Sequence, residues 1–139
     1  MHGNVFILDA CALIAVLDGE QGADTVANLI EQAMHDEVTL YVNTVQVLEV
    51  YYDRIYKMGA EYASEFLENV YAANIQIVHH ISKAEIKAAG CYKTTYNLSL
   101  ADSILLATAF THSATVVTAD HHELDAVDRQ EHIAFLWFR

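Results

Sequence analysis

Short β-prone apolar runs alternate with longer stretches of helical periodicity from one end of this chain to the other. Val5 to Leu8 is the first such run, and Ala10 to Leu17 follows it with good helix formers that stop at the Asp18-Gly19 turn signal. Between Ala23 and Met34, Val26, Ile30 and Met34 recur with Leu29 beside them, the spacing of an amphipathic helix, and Val38 to Val42 then reads as a strand. Asn43 or Thr44 is placed to cap a helix from Val45 to Lys57 that ends near Gly59, and Glu61 to Tyr71 predicts another. Ile75 to Val78 reads as a strand and Ser82 to Lys93 as a helix, after which Ser99 opens SLADSILLATAF, the strongest helical pattern in the chain. Ala114 to Thr118 and Ile133 to Phe138 supply two more strands. This alternation predicts an α/β fold with a mostly parallel sheet of four to five strands, covered by helices on both faces. With no proline, no Gly/Ser-rich linker and no repeat to mark a boundary, residues 1–139 are expected to form a single domain.

Composition narrows the class. Hydrophobic residues make up 54% of the chain, ample for a core, yet the longest apolar runs fall well short of the roughly 20 residues a membrane helix needs. The N-terminus lacks a basic region followed by a signal-type core, which predicts a cytoplasmic protein with no membrane partner. Cys11 and Cys91 fall in different predicted helices and form no CxxC pair, so neither a zinc knuckle nor a disulfide framework is indicated. The formal net charge of −12, from 19 acidic against 7 basic residues, works against phosphate binding unless metal neutralises part of it and a basic partner or a local basic surface does the rest. Arg54, Lys57, Lys83, Lys87 and Lys93 are the candidates for such a surface.

Four carboxylates change the picture most. Asp9, Glu49, Asp102 and Asp120 lie within or at the end of the apolar segments FILDACALIAVL, VQVLEVYY, SLADSILLATAF and ATVVTAD. An ionised carboxylate removed from water takes up a proton unless a cation holds it, and a divalent metal is the strongest such cation. Asp9 and Asp120 each follow a predicted strand, where ligands gather in open α/β sheets, although either could simply cap the next helix. Asp102 stands at the fourth position of a capping-box pattern beginning at Ser99. Glu49 shares a helix side with Val45, Leu48 and Tyr52, expected to be buried, and Arg54 is spaced poorly to pair with it. If the four acids converge, their hard oxygens suit Mg2+ or Mn2+.

LDACALI, LEVYYD, LSLADSILLATAF and ATVVTAD together resemble the PIN-domain ribonucleases, especially the short VapC-like toxins of prokaryotic toxin-antitoxin pairs. The resemblance runs from Phe6 through the last strand, and SLAD followed by T-x-D is its most specific part. It implies a PIN-like fold in which Asp9, Glu49, Asp102 and Asp120 form the catalytic, metal-binding acids of an endoribonuclease. It also implies an RNA substrate, a small antitoxin that inserts a segment into the acidic cleft, a homodimer, and a location in the prokaryotic cytoplasm. Cys11 stands where the family pattern has Ser or Thr, and a thiol is a poorer partner for a hard ion; Thr118 keeps the hydroxyl two residues before the last Asp, placed to orient a ligand.

The expected grouping is Asp9, Glu49 and Asp102 around one metal, with Asp120 binding directly, through water, or to a second ion. Asp125 is the first reserve ligand, and HHELDAVDRQ reads as an exposed turn or short helix in which His121 and His122 are loop residues. Tyr51, Tyr52 and Tyr56 are expected to pack in the helix core. A phosphatase-like fold would need D-x-D after the first strand, where this chain has Asp9-Ala10-Cys11, and a receiver would need a Lys after a later strand that ATVVTAD does not supply. The remaining alternative is a catalytically silent PIN-like interaction module.

Overall fold

The computed structural model describes residues 4–139. Five strands, β1 (Val5–Leu8), β2 (Thr39–Asn43), β3 (Gln76–Val78), β4 (Thr115–Thr118) and β5 (Phe135–Trp137), form one sheet in the order β3-β2-β1-β4-β5. Every pairing is parallel, so the sheet is all-parallel rather than mostly so. Seven helices among the described residues connect and cover it: α1 (Ala10–Asp18), α2 (Ala23–Met34), α3 (Thr44–Met58), α4 (Ala60–Ala72), α5 (Lys83–Thr95), α6 (Leu100–His112) and α7 (His121–Gln130). Boundaries differ from the expected ones by a residue or two, most at the last strand, where Ile133 is buried but lies outside β5.

Alternating side chains divide the core in two. Leu8 and Val117 join the cluster under α1 to α4, whereas Ile7 and Val116, one residue earlier on the same strands, join the cluster under α5 to α7. Burial on both faces explains why these strands read as continuous apolar runs. The strand order also fixes where a ligand can sit. The chain moves outward from β1 through β2 to β3, then returns to the other side of β1 for β4 and β5, making the β1/β4 junction the topological switch point. Asp9 directly follows β1 and Asp120 lies two residues beyond β4, at the carboxyl ends of these two neighbours.

The buried face of α3 is not the one expected. Gln46, Val47, Val50 and Arg54 point inward, whereas Leu48 and Tyr52 are 57% and 45% exposed. Polar Arg54 can occupy the inner face because its guanidinium is bonded there, and Gln46 is held through its amide nitrogen while its side-chain oxygen is left without a partner. Arg54 donates to both oxygens of Asp18 at 2.9 and 3.0 Å and to Asp53 at 2.7 Å, with Lys57 joining Asp18 at 3.1 Å. These two cations are therefore committed to the fold instead of forming a basic surface, and Lys93 donates to the Leu98 carbonyl at 2.8 Å. Both cysteines are free thiols.

Gly22, at φ +88°, is needed for close approach. A Cβ there would run into the carbonyl oxygen of Phe138, so only glycine lets the start of α2 meet the segment after β5. That contact brings Arg139 alongside the Gln21 carbonyl, to which its guanidinium donates at 2.9 Å. No helix among the described residues is long and apolar enough to cross a membrane.

Candidate active site

A cleft of about 480 Å³ opens at the switch point. Asp9, Glu49, Asp102 and Asp120 all line it, as do Cys11 and two acids absent from the sequence-based set, Glu123 and Asp53, the latter paired with Arg54 and Lys57. Arg139 is the one basic side chain in its lining.

Asp9 lies deepest, 5% exposed. It caps α1, one carboxylate oxygen accepting from the Ala10 amide at 2.7 Å and the other from the Thr118 hydroxyl at 2.8 Å and the Cys11 thiol at 3.6 Å. Burial raises its pKa, the three donors oppose that shift, and the charge of Asp120 adds to it. The helix-cap reading and the metal-ligand reading of Asp9 are thus compatible, since capping leaves oxygen lone pairs free. Cys11 contributes as a donor. Burial and the neighbouring Asp9 push its thiol up to about 12, so it keeps its proton at neutral pH.

Thr118 is fully buried on β4, and its hydroxyl serves both acids. It donates to Asp9 and accepts from the Asp120 amide at 3.1 Å. One hydroxyl therefore ties the Asp9 carboxylate to the backbone that carries Asp120. Thr118→Val keeps the shape but removes both bonds. It is expected to weaken Mn2+ binding by about 10- to 100-fold in a calorimetric titration, with Asp9 held by the Ala10 amide and the Cys11 thiol alone; an unchanged affinity would remove Thr118 from the site.

Asp102 shows half of the expected capping box. Ser99 accepts from the Asp102 amide at 3.1 Å, but the return bond from the Ser99 amide goes to Glu123 at 3.2 Å. Glu123 thereby takes over the capping duty that would have turned Asp102 away, leaving the Asp102 carboxyl in the cleft. Asp120 caps α7, accepting from the Glu123 amide at 3.4 Å. Asp102, Asp120 and Glu123 each place a carboxylate oxygen within 4.8 Å of the others. Burial drives the pKa of Asp102 well above the usual carboxylate range, and its hydrogen bond to Glu123 and the charges of Asp9, Glu123 and Asp120 add to this. Glu123 is lowered, chiefly by the hydrogen bond from Asp102, so without a cation the pair holds a proton on the Asp102 side.

Glu49 reaches the cleft from α3, half-buried, and burial followed by the charges of Asp9, Asp120 and Glu123 pushes it up to about 7. Its helix is fixed to α6 at two points. Gln46, fully buried one turn before Glu49, donates to the Ala101 carbonyl at 3.1 Å, next to Asp102. Asn43 caps α3 through the Val45 amide at 2.9 Å and donates to the Thr108 hydroxyl at 3.0 Å.

Several expectations change here. Asp125 points away and meets His121 at 2.8 Å, because two residues along α7 turn it off the face that carries Glu123. His121 and His122 begin that helix rather than a loop. Tyr52 and Tyr56 are exposed, at 45% and 86%, instead of packed in the core, and Tyr52 lines the cleft. The acids that draw together most closely are Asp102, Asp120 and Glu123, not Asp9, Glu49 and Asp102. A signal for Glu123 was present, since Asp120-His-His-Glu123 puts a glutamate three residues after a helix-capping aspartate.

The donor set fits a hard divalent cation. These five acids all offer oxygen, and the raised pKa values of Asp9, Glu49 and Asp102, due first to burial and then to neighbouring charges, mark a cost of ionisation that a cation would offset.

The PIN domain family profile matches residues 6–130. No curated protein matches the chain in sequence. The fold is similar to that of VapBC2 from Rickettsia felis, solved bound to a promoter DNA fragment, with 15% identity, a TM-score of 0.74, and 94% of this chain covering 96% of that one. DNA-bound VapBC from Salmonella typhimurium is similar at 13% identity and a TM-score of 0.72, with 97% and 98% of the two chains covered. FitAcB from Neisseria gonorrhoeae is similar at 21% identity and a TM-score of 0.65, with 96% and 97% covered.

Proposed function

Because this chain belongs to the PIN-domain family, we propose that it is a divalent-metal-dependent endoribonuclease and the toxin of a toxin-antitoxin pair. The observation that carries this reading is the convergence of Asp9, Glu49, Asp102, Asp120 and Glu123 in one cleft at the sheet's switch point. Asp102, Asp120 and Glu123 would hold Mg2+ or Mn2+, with Asp9 behind them and Glu49 facing them from α3. When bound, the metal would activate water and offset charge on the phosphoryl and leaving oxygens. The protein's own task is positional. Thr118 orients Asp9, Glu123 frees Asp102, and the bonds of Gln46 and Asn43 keep α3 at a fixed distance from α6.

Solved structures of similar fold are toxin-antitoxin complexes, which supports a small antitoxin as partner. A net charge of −12 and an acidic cleft suit a basic antitoxin segment. Exposed Leu48, Ile55 and Tyr62 on α3 and α4 offer apolar surface for that partner or for a second copy in a homodimer. Purified protein is expected to cleave RNA with Mn2+ and to stop when EDTA is added. Metal binding without cleavage of any RNA offered would favour a silent interaction module instead.

A further inference from the structure

With 19 acidic residues against 7 basic ones, this chain is poorly equipped to hold RNA by phosphate neutralisation. Arg54 and Lys57 are bound to Asp18 and Asp53, Lys93 to the Leu98 carbonyl, and Arg139 to Gln21 and Glu20. That leaves Lys83, Lys87 and Arg129 of the seven, so contacts that do not depend on positive charge gain weight, and stacking on bases is the principal one, available to any sequence because every base has a π-face.

One set of rings has the geometry for it. Phe135 and Trp137, two apart on edge strand β5, stack with centroids 5.2 Å apart and planes at 8°. His121, the first residue of α7 and the neighbour of Asp120, continues the stack on Trp137 at 4.1 Å and 16°. The central ring and the outer ring nearest the cleft are both held. The Trp137 indole N–H donates to Asp128 at 3.0 Å, and the two ring nitrogens of His121 lie 2.8 Å from Asp125 and 2.8 Å from the Arg139 carbonyl. The His121 side chain is nevertheless 49% exposed. With one face against Trp137 and both nitrogens bonded, that open area is its other face and carbon edge. By contrast, Tyr52 and Tyr56 meet edge-on at 75° and offer no coplanar surface.

Resting on the ribonuclease reading, we propose that the Phe135–Trp137–His121 stack is a platform for a nucleobase of single-stranded RNA, next to the phosphate in the cleft. Asp120 precedes His121 in the chain and lines the cleft, and Arg139, whose carbonyl holds the ring, lines it too. The stack thus adjoins the cleft, within reach of a base next to a phosphate bound among the acids. With the ring stacked on Trp137 and set between two acceptors, the base meets a surface that needs little further ordering.

Trp137 is the only tryptophan, so its emission reports on the stack directly. Single-stranded RNA of about eight nucleotides is titrated in calcium, in place of magnesium, so that the strand binds without being consumed. Binding is expected to change Trp137 emission saturably. His121→Ala is expected to weaken binding by about tenfold, the loss of one stacked base, with little dependence on salt, and His121→Phe to restore it. Mn2+ affinity of His121→Ala, measured alongside, is expected to match that of the unaltered protein, which separates lost stacking from a damaged cleft. RNA bound with unchanged emission and equal affinity in His121→Ala overturns the platform and leaves the ribonuclease reading standing. Failure of the unaltered protein to bind any single-stranded RNA overturns both.

Discussion

Asp9→Asn is expected to lower RNA cleavage by about a thousandfold or more while the metal-free protein melts at the same temperature or slightly higher. The two effects separate because Asp9 has two roles. Its capping role needs only an oxygen acceptor for the Ala10 amide, which asparagine keeps. Its electrostatic role needs the negative charge, which asparagine loses, in the most buried position of the cleft. Removing a buried carboxylate also relieves the burial cost that raises its pKa and the repulsion from Asp120, which offsets the loss of the bonds that Thr118 and Cys11 donate to its second oxygen. Cleavage assays and thermal melts on the same preparation check both halves. Undiminished cleavage would discard Asp9 as a site residue, and a collapse in melting temperature would recast it as structural.

The sequence is legible where a single local rule decides the outcome. β1 and β4 are buried on both faces and so appear as unbroken apolar runs, and each ends on an acid because the switch point lies there. The place of Asp9 and Asp120 at the sheet's carboxyl edge could be read from that alone, although both also cap the helix that follows. Asp102 was visible only as a residue with two competing explanations, because the capping pattern at Ser99 accounts for it equally well. What decides between them is the bond from the Ser99 amide to Glu123, 24 residues away, and no local pattern encodes it. The face of α3 was misjudged for a similar reason. Hydrophobicity alone favours burying Leu48 and Tyr52, but the fold buries Gln46 and Arg54, whose partners Ala101 and Asp18 lie on other helices. Long-range polar bonds such as those of Gln46 to Ala101 and Arg54 to Asp18 override the apolar stripe here, and the first of them also sets the site.

Metal-free protein is expected to melt at a lower temperature at pH 8 than at pH 5.5, with Mn2+ abolishing the difference. Glu49 has a folded pKa of about 7 against an ordinary value of 4.5, and Asp9 and Asp102 are also raised. The folded state therefore binds these protons more tightly than the unfolded chain does. Their stabilisation is complete below the ordinary carboxylate range and is lost as pH rises through the folded values. His121, also raised, acts with the same sign, whereas Asp18 and Glu123, both lowered, lose their contribution only in more acidic solution, outside this interval. A divalent cation competes for the oxygens that hold the protons, so its stabilisation grows as the acids ionise. At a hundred times its Kd, Mn2+ would contribute about 2.7 kcal/mol at pH 8, or roughly 10 °C in melting temperature for a domain of this size. At pH 5.5 the gain is expected to be much smaller, because protons hold the site. A melting temperature that climbs from pH 5.5 to 8 without metal, or that Mn2+ leaves unmoved at pH 8, would mean that the five carboxylates do not share one electrostatic site.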